Sequence, residues 1–170
     1  MANLAAVIPK TMPSDDEIHS FIEGIVRKKF PQFMLIRHEN PTYTIWTLRH
    51  NLEQHIALQF WTGKTFDPDE EYREGENYTE IPCIEFQHGH NWNFLWWVEH
   101  ELREPLAVHL NARVIDDGVG ETKPQTTTYD TYEQYAKSNS PVAVWLMWVE
   151  EDYENAPDDI KTLIKHELPS

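Results

Sequence analysis

His88-Gly89-His90 is the pattern in this chain closest to a metal site. Two imidazoles separated by one residue can face one side when a glycine bends the chain between them. Glu85, Glu99 and Asp116 would complete a donor set for zinc or another divalent transition metal. A turn histidine more often caps a helix or bonds the backbone, and no HExxH, paired CxxC or calcium loop accompanies this one. A metal-dependent nuclease is the next arrangement to weigh. Pro68-Asp69 precedes a strand carrying Glu85-Phe86-Gln87, but glutamine stands where such sites use lysine. Pro157-Asp158-Asp159-Ile160-Lys161 has similar letters in one contiguous helical run, and so fails on context. Nucleophilic catalysis finds no GxSxG elbow and no Ser or Cys with a recognisable His partner. Six glycines in all form no phosphate-binding loop.

The carboxylates carry the stronger signal. The chain has 29 acidic against 14 basic residues, a net charge of −15. Such a surface repels nucleic acid and anionic membranes and attracts basic proteins. Its simplest role is to keep a Trp-rich chain in solution. Its sharper role is an interface, and two segments concentrate the acid. Residues 62–80 form a loop above the ~12–15 residues beyond which loops are uncommon inside a compact domain and often functional. Asp67, Asp69, Glu70, Glu71 and Glu74 are its candidate contacts, with Phe66, Tyr72 and Tyr78 as aromatic anchors. Glu150, Glu151 and Asp152 supply the second segment, within residues 150–159. Trp96, Trp145 and Trp148 could line a slot for a small molecule, although core packing is the better explanation of all three.

The elements that must position these residues follow from periodicity. Residues 1–13 hold Pro9 and Pro13 and read as a flexible arm. Ser14-Asp15-Asp16-Glu17 is a capping box ahead of Ile18, Phe21, Ile22, Ile25 and Val26, one face of an amphipathic helix. Arg27, Lys28 and Lys29 suit the negative end of its dipole. Strands are expected at 33–37, 42–48 and 54–61. In the last of these Ile56, Leu58 and Phe60 share a face, opposite Ala57, Gln59 and Trp61.

Residues 81–118 are the expected core. A strand carries Cys83 and Phe86, and Asn91 caps a helix from Trp92 to Glu104. Trp92, Phe94, Trp96 and Trp97 bury its start. Glu99, His100, Glu101 and Arg103 suggest that its far end surfaces, and Pro105 stops it. Residues 106–115 then read as a strand. Beyond a loop over 119–128 come helices at 130–138, 142–153 and 157–166. The second starts at Ser140-Pro141, and its Glu-rich C-terminal end opposes the dipole.

This order predicts an α+β fold: an antiparallel sheet of four to five strands with helices packed mainly on one face. Residues 14–170 make one domain behind the arm. No apolar run reaches membrane-span length, no signal peptide is visible, and one cysteine excludes an internal disulfide, which suits the cytoplasm. In overall style (small, acidic, Trp-rich, without a catalytic signature) the chain resembles bacterial immunity proteins and phage-borne inhibitors, though no motif carries that resemblance. The expected function is a non-enzymatic acidic binding protein that occludes a basic protein partner, with no nucleic acid, membrane or cofactor. The alternative is a metal-dependent enzyme or metal-binding domain, with zinc or a similar ion centred on His88 and His90.

Overall fold

The computed structural model describes residues 4–70, 74–89, 91–116 and 119–166. Its centre is an antiparallel sheet of seven strands, where four to five were expected: β1 (Leu4–Ile8), β2 (Phe33–Glu39), β3 (Thr44–His50), β4 (Ala57–Phe66), β5 (Glu80–His88), β6 (Arg113–Asp116) and β7 (Gly120–Thr122). Their order is β2-β3-β4-β5-β1-β6-β7. The first strand accounts for part of the difference. Residues 4–8 are not an arm; they pair with β5 on one side and β6 on the other. Ala5 and Val7 are 2% and 0% exposed. Pro9 follows the last strand residue, where its missing N–H interrupts no ladder.

Five helices lie on one face of the sheet: α1 (Asp15–Lys29), α2 (Phe94–His109), α3 (Tyr132–Asn139), α4 (Val142–Asn155) and α5 (Asp158–Ile164). The Ser14 hydroxyl accepts the Glu17 N–H at 3.1 Å, which starts α1. The helix buries Ile18, Ile22 and Val26. It docks through Trp46 of β3, whose indole N–H donates to His19 Nδ1 at 3.1 Å. Strand alternation sends Trp46, Leu48, Leu58, Phe60, Ile84 and Phe86 to the helix side, where all are essentially unexposed. Trp46, Phe60 and Phe86 stack in register across β3, β4 and β5, with ring centroids 5.0 and 5.1 Å apart. Trp97 of α2 and Phe30 meet edge-on beneath them at 5.2 Å.

Helix α2 departs most from its sequence pattern. It does not stop at Pro105 but continues to His109, so the expected strand from Leu106 is confined to β6. An interior proline costs about 3 kcal/mol. Here Leu102, Leu106 and Ala107, all 0% exposed, continue the buried face on both sides of it. Nor does the charged end surface. Glu99, His100, Glu101 and Glu104 are each at most 3% exposed.

Candidate functional site

The helix-free face of the sheet is built by the alternate residues. One row crosses all seven strands in register: His38, Ile45, Trp61, Glu85, Ala6, Ile115 and Glu121. Beside it run Ile36, Thr47, Gln59 and Gln87. No described helix packs on this side, so Trp61, Ile45 and Glu85 stay half-exposed while their neighbours Phe60 and Phe86 are fully buried. Met34 at the β2 edge and Tyr43 before β3 are 47% and 41% exposed. Tyr43, Ile45, Trp61, Gly63, Glu85 and Gln87 border a trough of about 540 Å³ over β3, β4 and β5. Gly63 shapes it. The Trp61 indole folds along its own strand, and its Cδ1 and Nε1 come within 3.5 and 3.6 Å of where a Cβ at Gly63 would stand. Glu85 Oε2 lies 3.9 Å from the same point. Cys83 sits in this face, paired opposite Gly63, yet is 0% exposed. Burial and the Glu85 carboxylate push its thiol up to about 12, so it stays protonated, with Sγ 3.8 Å from Glu85 Oε1.

The acidic loop joins β4 to β5 at one end of this face, and its described part has a structure of its own. The Asp67 carboxylate accepts the Asp69 N–H at 2.9 Å, and the Asp67 N–H donates to the Thr79 carbonyl at 3.1 Å. Glu70 Oε2 accepts the Thr79 N–H at 3.0 Å, and the Thr79 hydroxyl together with this N–H holds the Glu70 carboxyl below its ordinary range. Asp69 reaches across to Arg113 of β6, at 3.0 and 3.1 Å, and Arg113 also pairs with Glu121 of β7. By register Arg113 and Glu121 belong to the helix-free face, so the loop curls toward that side. Of the expected contacts, then, Asp67, Asp69 and Glu70 are engaged in folding the loop, and Glu74 is exposed. Glu71 and Tyr72 lie outside the described residues. At the loop's base Phe66, 62% exposed, meets Tyr78 edge-on at 5.5 Å.

The second acidic segment is placed elsewhere. Asp152 is not a surface contact: it is 3% exposed, and its Oδ2 accepts the Phe94 N–H at 2.7 Å. Asp152 thus caps α2 from α4, where Asn91 was expected to do so and where the N-cap Asn93 makes no side-chain capping bond of its own. Burial outweighs that hydrogen bond and pushes its carboxyl up to about 6. Glu150 pairs with Lys165 at 2.7 Å, and Glu151 is exposed. This segment is tied to Phe94, at the start of α2 beyond the β5 end at His88, whereas the loop enters where β5 begins, at Glu80. The two are therefore separated by the length of a nine-residue strand, roughly 30 Å. They do not form one surface.

No protein-family model matches the chain, and no curated protein matches its sequence. The arrangement of its residues carries the functional argument alone.

His88 is turned to the helix side, 3% exposed, with Nδ1 3.2 Å from Glu99 and its ring edge-on to Trp96 at 4.5 Å. Glu85 leaves the same strand on the opposite face, so the two cannot share an ion. His90 lies outside the described residues, and no cluster of three or more metal-ligating side chains occurs among those described. Sequence reasoning missed the buried charges of α2 altogether. Glu99 is paired by Arg103 as well as His88. Glu101 takes Lys29 of α1, the Tyr129 N–H at 2.8 Å and His100 Nδ1 at 2.9 Å. Burial opposes ionisation of Glu101, but the bonds from His100, Lys29 and Tyr129 together prevail and lower its pKa. Glu104 is less provided for: its Oε2 has no hydrogen-bond partner, and burial raises its pKa. These groups tie α1, α2 and the segment before α3 together.

Proposed function

We propose that the chain is a non-enzymatic acidic binding protein, of inhibitor or immunity type, that occludes a basic protein partner with the helix-free face of its sheet. One observation carries the reading. Among the described residues all five helices lie on one side of the seven-stranded sheet and none covers the other side, where Trp61, Ile45, Tyr43 and Met34 are half-exposed. Exposed apolar surface of this kind, rimmed by polar groups, marks an interaction face. The acidic loop stands at its end and gives the face its electrostatic sense, steering a basic surface onto it. The mechanism is steric cover by the sheet, with Trp61 as anchor and carboxylates paired to Lys and Arg. Glu74 and the half-exposed Glu85 are the acidic contacts of this reading; the α4 segment falls outside it. No described helix is long and apolar enough to cross a membrane. A lone buried thiol suits the cytoplasm, where we place the protein.

A tagged pull-down from host lysate tests this at about 50 mM salt and again at several times that ionic strength, where the screening length is much shorter. A basic protein captured at low salt, lost at high salt, and inhibited by the purified chain supports the reading. Capture of acidic or neutral proteins without salt dependence contradicts it.

A further inference from the structure

We propose that the trough over β3, β4 and β5 binds the guanidinium of one arginine in a basic protein segment, stacked on Trp61 and paired with Glu85. The inference rests on the reading above for the basic character of the partner. The recognising geometry is local. Trp61 and Glu85 are register partners on adjacent strands, and the indole and the carboxylate converge over Gly63, the residue that leaves room between them. Tyr43 and Ile45 wall the other side.

Charge complementarity decides the occupant. Glu85 is partly withdrawn from water, and among the described residues no cation pairs with it; its carboxylate accepts a weak hydrogen bond from the Cys83 thiol. That thiol is protonated, so it donates weakly and brings no charge. Lys64 lines the trough through its position on β4, but alternation sends its side chain to the other face, opposite Pro82. A carboxylate beside an indole, with a glycine floor, fits a flat cation. Arginine stacks on an aromatic face while its fork bonds a carboxylate, whereas an ammonium is compact and more strongly hydrated.

The test is an NMR titration of the full chain with a short capped Gly/Ser peptide carrying one arginine, and with the same peptide carrying citrulline. The arginine peptide should move the Trp61 indole N–H, assigned by its loss in Trp61→Phe, and the backbone amides of Gly63 and Glu85. The citrulline peptide should leave them in place. Glu85→Gln, a near-isosteric change on a half-exposed side chain, should weaken the arginine peptide about fivefold, as loss of an exposed charge pair implies. Gly63→Val should fill the floor and abolish the response with the fold intact. Equal shifts from both peptides, full affinity in Glu85→Gln, or shifts confined to α4 would overturn the proposal. Capture of the same basic protein by wild type and Glu85→Gln with equal affinity would remove the trough and leave the broader reading standing.

Discussion

Asp152 is a carboxylate that does structural work inside the molecule while looking, in sequence, like part of an acidic surface. It is raised from an ordinary value near 3.8 to about 6 because burial disfavours its charge more than the Phe94 N–H favours it. The sign follows from linkage. The protonated form is preferred in the folded state, so the contribution is fully present below about 3.8 and is lost as pH rises through about 6. In Asp152→Asn that component is absent. Urea midpoints of wild type and variant, measured across that window, should therefore differ by an amount that changes with pH. A constant difference would show that Asp152 titrates normally. Lys29 makes the opposite case, a cation that sequence assigns to a helix dipole and the structure assigns to the unexposed Glu101 carboxylate. Lys29→Met should cost roughly 3 kcal/mol, the low end for breaking a buried pair, because His100 and Tyr129 still serve Glu101. Double replacement with Glu101→Gln should recover part of the loss. No recovery would mean that Lys29 acts through its packing.

Elements were legible where periodicity and caps agreed. Helix α1 follows Ser14 and its apolar stripe, and the alternation of Leu58 and Phe60 against Gln59 and Trp61 survives in β4. Two elements were hidden for physical reasons. Strand β1 is five small or aliphatic residues next to a proline, a run too short to show a period, and its partners β5 and β6 lie far along the chain. Deleting residues 1–8 should abolish the cooperative unfolding transition, since it removes the strand between β5 and β1's other neighbour, β6. A truncated chain that melts like the full one would return these residues to an arm. The charged half of α2 was read as solvent-facing because a buried charge is legible only with its partner, and Lys29 and His88 come from other elements. The acidic end of α4 is likewise answered from outside: Lys165 pairs with Glu150, and Lys161 and Lys165 lie 5.3 and 4.3 Å from the centre of the Tyr153 ring.

Across the whole molecule, the α+β class and the one-sided helix layer were both readable, since strands that alternate apolar and mixed residues cover one face more fully than the other. Which mixed residues would gather was not readable, because the row Ile45–Trp61–Glu85 is assembled by register across three strands. The acidic loop was visible from its composition, but its attachment to Arg113 was not, and that attachment turns it toward the bare face. In the proposed function that face is the one a partner covers. The most direct measurement is the affinity for the captured basic partner of wild type and of Gln59→Arg, an exposed residue in the row beside Trp61. A like charge placed inside a basic partner's footprint should reduce affinity at least tenfold at low salt, with the melting temperature nearly unchanged. Equal affinity in wild type and Gln59→Arg would contradict the account and direct attention to the helix side.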